Sequence, residues 1–350
     1  MICKKITSFV ASIINVIILT FIITNSHAEE NSLKEISYDQ GVLSLMYHRF
    51  NENKYPSTNV KMDIFKKQIE IIKKNKFNFI GPDEFSKNFY TKKNKKKILL
   101  TIDDGFTSFY EVAWPYLKEN KIPFILFIST EPVGKPGYMN WEQIREIESK
   151  KFAFLGNHSH KHEYFIDKNY DYFVDDINQS IEIFEKKIGY NPKFFSYPFG
   201  EYSLRHKEFI KKKFEFAFGQ NSGVIDVNKD KYEIPRFPIN EKYGDLERFK
   251  FLVNLMPLEY DKISIKDNLI LAKNNPPKLL IEFFENQKNL DKINCFSDEG
   301  SGWKETDIRL IKNKLVVNFK EKFNFRRGRI NCSMRDEEGW RWFGLQFSIK

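Results

Sequence analysis

Cysteine is scarce, with three residues in 350. Cys3 lacks the context of a lipidated cysteine, which leaves Cys295 and Cys332 as the one pair available. Long apolar runs are absent outside the N-terminus. With 41% hydrophobic and 30% charged residues, the chain is neither a multi-span membrane protein nor a wholly disordered one. It has no internal repeat and no nucleic-acid recognition motif. The net charge of +10 comes from scattered basic residues. Lys, Asn and Ile are abundant and Phe reaches 35, so composition bias accounts for the charge as readily as an acidic partner does. No nucleic-acid partner is expected. The length suggests two domains, or one large domain with an appendage.

The N-terminus carries Lys4 and Lys5, an apolar stretch from Ile6 to Ile23, and Ser26-His27-Ala28 before Glu29. A basic start, an apolar middle and small residues before a polar segment make a secretory signal peptide. Cleavage after Ala28 leaves 350 − 28 = 322 residues and no membrane span. The alternative is an uncleaved anchor; Thr7, Ser8, Ser12, Asn15 and Thr20 weaken it. The expected location is secreted or periplasmic. In an oxidising compartment Cys295 and Cys332 are expected to form a disulfide; two free buried thiols are the other reading.

Between residues 41 and 240, short apolar runs alternate with amphipathic stretches. Strands are expected at Leu43–Tyr47, Phe77–Ile80, Ile98–Ile102, Phe124–Ile128, Phe152–Leu155, Phe194–Tyr197 and Phe214–Phe218. Helices are expected over Met62 to Lys74, from the N-cap Asn140 to about Lys150, and from Tyr172 to Ile188 with Gly189 as its stop. This alternation predicts a parallel sheet with crossover helices, doubly wound or a barrel, with chemistry at the carboxyl ends of the strands. Past residue 265 the pattern changes. Asn274-Asn275-Pro276-Pro277 reads as a linker. Leu279–Phe283, Asp307–Leu310, Leu315–Phe319, Arg329–Cys332 and Phe343–Ile349 then read as a small all-β domain. The expected division is a signal peptide over 1–28, an α/β domain over 41–265 and a β domain over 276–350.

Three strand ends carry unusual residues. Ile98–Ile102 runs into Asp103-Asp104-Gly105. Adjacent carboxylates after a buried strand are costly unless they bind something, although a helix cap and turn would also use them. Phe152–Leu155 leads to His158-Ser159-His160-Lys161-His162, which holds three of the six histidines. His at i and i+4 can converge on a metal; a solvated His-rich loop is the alternative. Phe194–Tyr197 leads into Pro198-Phe199-Gly200-Glu201-Tyr202, either a rigid sugar-facing wall or an ordinary turn.

Together these residues resemble the motifs of the polysaccharide deacetylases, the NodB-like carbohydrate esterases. Thr101-Ile102-Asp103-Asp104-Gly105 is similar to T-F-D-D-G, and His158-Ser159-His160-Lys161-His162 to H-[ST]-x-x-H. Tyr197-Pro198-Phe199-Gly200 resembles the end of the third motif, R-x-P-[FY]. Leu45-Met46-Tyr47-His48 is similar to the first strand of the exopolysaccharide-acting subgroup. The resemblance spans residues 41 to 240. It implies a distorted (β/α) barrel and removal of acetyl groups from a sugar polymer. It further implies Asp104, His158 and His162 as ligands of one divalent metal, usually Zn with Co or Ni as options. It makes Asp103 the general base and the Phe199 N–H an oxyanion donor.

Two departures stand out. The motif's Arg is Ser196 here, and no His follows His206 to act as general acid. His48 is the candidate replacement acid, with a metal-bound water or a purely structural His as alternatives. Arg236 either enters the site in place of the lost Arg or lies exposed at a strand end. Tyr197, Pro198, Tyr202 and Arg236 are the expected substrate-binding residues, and His206 is expected on a helix surface. Trp303, Trp340 and Trp342 serve either packing or a carbohydrate platform. The expected activity is N-deacetylation of an N-acetylglucosamine polymer or oligosaccharide. An O-acetyl esterase and a non-catalytic sugar-binding protein are the competing readings.

Overall fold

The computed structural model describes residues 41–89 and 96–350. The expected signal peptide lies outside the described residues. Among these residues no helix is long and apolar enough to cross a membrane.

Seven strands make the main sheet: β1 (Val42–Tyr47), β2 (Lys97–Ile102), β3 (Phe124–Ile128), β4 (Ala153–Asn157), β5 (Phe194–Ser196), β6 (Phe216–Phe218) and β7 (Phe237–Pro238). Their order is β7-β1-β2-β3-β4-β5-β6, with Asn78–Phe79 added beside β2, and every pairing is parallel. The segment before β7 pairs with β6 through Ile234, and β7 itself pairs with β1. One stretch of chain thus touches both edges and bends the sheet into a distorted (β/α) barrel.

The central strands are buried on both faces, so they read as continuous apolar runs. Ile98, Leu100 and Ile102 face one core cluster with Phe65, Ile69 and Ile72 of the helix Met62–Lys74. Leu99 faces a second cluster with Phe127, Phe194, Phe216 and Phe218. The helix Trp141–Glu148 begins with a capping box between Asn140 and Gln143. The helix Tyr170–Ile188 stops at Gly189, where φ is +99°.

The C-terminal region is two packed sheets. The first runs Met256–Pro257, Trp340–Ile349, Arg327–Arg335, Asn294–Asp298, Trp303–Glu305. The second runs Lys262–Ile263, Leu279–Glu282, Lys314–Asn318, Asp307–Ile311. Ile281, Leu315, Ile330, Met334 and Phe347 fill the space between them. Cys295 and Cys332 sit opposite each other on neighbouring strands and are disulfide-bonded. Along Arg327–Arg335 the residues alternate: Ile330, Cys332 and Met334 point into this core, while Arg327, Arg329, Asn331 and Ser333 point out of the sandwich toward the barrel. The strands Asn294–Asp298 and Trp303–Glu305 were not expected from the sequence; they are short, and their outer faces are polar or exposed.

Candidate active site

Four non-glycine residues at the carboxyl ends of the strands have left-handed backbone: Asp104 (φ +75°), Ser159 (+71°), His162 (+54°) and Phe199 (+58°). Each is disfavoured for a side-chain-bearing residue, and such strain concentrates at functional sites. Gly105 follows Asp104 at φ +73°. The consecutive positive angles turn the chain sharply off β2, so that Asp103 points inward and Asp104 across to the histidine loop.

The three motif ligands converge. One ligand atom each from Asp104, His158 and His162 lies within 4.8 Å of the others. The Asp104 Oδ1 is 3.5 Å from His158 Nε2 and 3.4 Å from His162 Nε2. His158 is fully buried, and its Nδ1 is 2.7 Å from the Ser196 carbonyl. A carbonyl only accepts, so Nδ1 carries the proton and Nε2 presents a lone pair. That Nε2 is buried with no hydrogen-bond partner among the described residues. An orphaned buried acceptor facing a carboxylate and a second imidazole fits a divalent cation in chemistry and in number of donors. Burial pushes the His158 imidazole down to about 4 against the pull of Asp103. It is neutral at physiological pH, as a ligand must be.

The loop that carries the histidines is held by acceptors. Asn157 Oδ1 takes the Ser159 N–H, and Ser159 Oγ takes the His162 N–H. Asp176, buried on the helix Tyr170–Ile188, takes the N–H groups of His160 and Lys161. Asp176 was missed from the sequence. The available signal was a carboxylate on the buried stripe formed by Phe173, Ile177, Ser180 and Phe184. His160 is turned away from the ligand atoms, with its Nδ1 at 2.8 Å from Thr130 Oγ1.

Asp103 is also fully buried. Arg236 grips it with two parallel bonds, Nη1 to Oδ1 at 2.7 Å and Nη2 to Oδ2 at 2.9 Å. The same guanidinium donates to Ser196 Oγ at 2.8 Å, Thr101 Oγ1 at 3.1 Å and the Gly219 carbonyl at 2.9 Å. Burial pushes the Asp103 carboxyl up, but Arg236, with His158 and His48, outweighs it and holds the group at about 2. The exposed-Arg reading is excluded. So is direct substrate contact by Arg236, which is 0% exposed. The cation that the third motif lacks at position 196 reaches the same carboxylate from the segment before β7.

The other expected substrate residues divide. Tyr197, Pro198 and Tyr202 are buried; the Tyr197 and Tyr202 rings stack at 4.3 Å, and Tyr202 Oη accepts from Asn268. They pack behind the turn and offer no face to a sugar, which corrects the expectation. Phe199 stays at the mouth, with Tyr164 stacked at 3.9 Å and His162 edge-on at 4.5 Å. His48 lines the same cleft. His206 is buried against Phe173, its Nδ1 accepting the Ser203 N–H, and is not a surface residue.

The cleft above Asp104 and His162 has a volume of 730 Å³. Its far wall is the C-terminal sheet, which contributes Phe296, Trp303, Arg327, Arg329 and Trp342. Gln346 of that sheet donates to the carbonyls of Phe199 and Gly200 at 3.0 Å each, and Asn221 donates to the Gly344 carbonyl at 3.0 Å.

Residues 90–214 match the family model described as polysaccharide deacetylase. Proteins named poly-beta-1,6-N-acetyl-D-glucosamine N-deacetylase are similar. That of Staphylococcus aureus is 26% identical over 248 residues, 62% of this chain and 85% of its own length. That of Staphylococcus epidermidis is 24% identical over the same span. Among solved structures, IcaB from Ammonifex degensii has a TM-score of 0.54 at 22% identity, covering 61% of this chain and 97% of its own. A Streptococcus pyogenes deacetylase, PplD, solved with acetate, has 0.53 at 21% identity, covering 58% and 94%. These two likenesses show the fold.

Proposed function

The chain belongs to the polysaccharide deacetylases through its α/β part, and from that premise we propose that it is a metal-dependent hydrolase removing N-acetyl groups from an N-acetylglucosamine-containing polysaccharide. The observation that carries this is the orphaned His158 Nε2, set with Asp104 and His162 beside an Arg-clamped Asp103. The similar proteins named as N-deacetylases support the amide as the bond cleaved.

Asp104, His158 and His162 would hold the metal, with zinc first and cobalt or nickel as options; when bound it supplies a Lewis acid for the amide carbonyl and acidifies water. Asp103 takes a proton from the attacking water. Its low pKa keeps it ionised at neutral pH, and the Arg236 fork fixes the plane of its oxygens. The water oxygen bonds to the amide carbon, the C–N bond breaks, and the amine nitrogen accepts a proton, giving acetate and a free amine. His48, on the cleft wall, is our candidate for delivering that proton. The Phe199 N–H, on its left-handed turn, is our candidate for steadying the oxyanion. We place the mature enzyme outside the cytoplasm, after signal cleavage at Ala28.

A second reading follows from one observation: no His follows His206. An acetyl ester expels its alcohol with less acid assistance than an amide needs, so O-deacetylation by the same site is the alternative. Acetate release from matched N- and O-acetylated oligomers separates the two. Asp103→Asn is expected to keep bound metal while turnover falls about 10²- to 10⁴-fold. His158→Ala is expected to lose metal and turnover together. Normal turnover in either variant contradicts the proposal.

A further inference from the structure

The cleft's far wall is more than a boundary. Phe296 and Trp303 lie on its outward face, 45% and 42% exposed. They belong to strands paired through Asp298 and Trp303, so their rings share one side of the sheet. Three arginines line the same cleft: Arg248, Arg327 and Arg329. Among the described lining residues the only carboxylate is Asp104, already assigned to the metal. Arg327 has Glu201 at 3.6 Å, but Glu201 also serves Arg326.

Arg248 and Arg329 have no carboxylate within 4.0 Å among the described residues. Arg248 donates to the Tyr243 carbonyl, and Arg329 Nε donates to Gln346 Oε1 at 3.2 Å. Asp298, opposite Arg329, spends its Oδ1 on the N–H groups of Gly300 and Gly302. Burial, with Arg327 nearby for Arg329, pushes both guanidinium groups down from their ordinary value. Asp245 near Arg248 and Asp298 near Arg329 oppose this shift without outweighing it, so both are half-buried cations with no carboxylate in direct contact, which are costly to keep. Sugar hydroxyls can accept their hydrogen bonds but do not offset the charge. A carboxylate does both, and matches the planar guanidinium fork. Exposed aromatic faces beside it suit the C–H face of a pyranose ring.

We propose that this wall is a second saccharide subsite, built by the C-terminal sheet and the helix Leu246–Leu252, and that it binds an anionic, carboxylate-bearing sugar of the polymer whose N-acetylated unit lies at Asp104 and His162. The proposal rests on the deacetylase reading for the direction of the chain through the cleft. It goes further in making the substrate an acidic N-acetylhexosamine polymer rather than a neutral one. The same cations repel the ammonium group formed by deacetylation, which favours departure of product.

The test is a binding titration of the mature chain in chelator, where no turnover competes, followed by calorimetry and tryptophan fluorescence. The probes are a hexasaccharide alternating N-acetylglucosamine with glucuronate and a neutral hexamer of β-1,6-linked N-acetylglucosamine. At about 20 mM salt the acidic probe is expected to bind at least about tenfold tighter, and at about 200 mM this advantage shrinks. Arg329→Gln, or Arg248→Gln on a separate element should the first misfold, brings the two probes near parity. Trp303→Phe removes most of the fluorescence change. Equal or tighter binding of the neutral probe, a preference insensitive to salt and to both Arg variants, or binding of neither probe overturns the subsite. Acetate release from the neutral hexamer with metal restored tests the deacetylase reading separately. Release without acidic preference removes only the subsite; acidic preference without release of acetate from either probe removes only the deacetylase.

Discussion

At the scale of single residues, the site turns on Arg236. Among the described residues it is the largest fully buried side chain, and it holds Asp103 through both oxygens. Removing one partner of such a pair leaves an uncompensated buried charge. Arg236→Gln is therefore expected to cost about 3–5 kcal/mol of stability and to abolish acetate release, as denaturant unfolding and an acetate assay would show. Returning the cation to the motif's own position is the sharper check. Ser196→Arg with Arg236→Ser is expected to recover part of the stability and turnover that Arg236→Ser alone loses; no recovery would mean that the two positions do not serve the same carboxylate. The motif order made Asp103, Asp104, His158 and His162 legible as candidates. Arg236 was legible only as one of two readings, entry into the site or exposure at a strand end, because it lies 40 positions beyond Ser196 and only closure of the barrel brings them to 2.8 Å. Gln346 was illegible because the turn it holds is distant in sequence, whereas Asp176 left a signal, a carboxylate on an apolar helix stripe, that was missed.

At the scale of elements, the alternation of apolar runs and amphipathic stretches exposed most of the barrel. The helix Met62–Lys74 and the strand Phe124–Ile128 appear at the expected bounds. Ends blurred where polar residues continue a strand, as Gly156-Asn157 do in β4. The short helix Leu204–Ile210 shows how a side chain escapes such patterns. His206 is the N3 residue of a capping box with Ser203 and packs at 4.3 Å from the Phe173 ring. Burial, then the positive charges of Arg205 and Lys350, push it down to about 4. The unfolded chain therefore takes the proton first. Its contribution is complete above about pH 6.5 and is lost as pH falls through about 4, on the order of 3 kcal/mol in all. Protonation at Nδ1 would also set a donor against the Ser203 N–H. His206→Gln keeps a capping acceptor and is expected to flatten the fall of melting temperature between pH 6.5 and 4. An unchanged pH profile would contradict this.

At the scale of the whole molecule, the C-terminal sheets and the barrel share one cleft. Met256–Pro257 pairs with Arg341 and Trp342, and Gln346 holds the turn that carries Phe199. Gln346→Ala is expected to lower turnover while bound metal stays constant, since no ligand touches it. The Cys295–Cys332 bond closes a loop of 37 positions within the wall. Replacing both by Ser is expected to cost about 2–4 kcal/mol, read by unfolding with and without reductant. The most direct test of the central claim is acetate release from N-acetylglucosamine oligomers by residues 29–350, with zinc supplied and with chelator. The account predicts release that chelator abolishes, zinc restores and Asp103→Asn suppresses with metal still bound. Release that persists in chelator, or none from N- or O-acetylated oligomers with zinc bound and the protein folded, would contradict it.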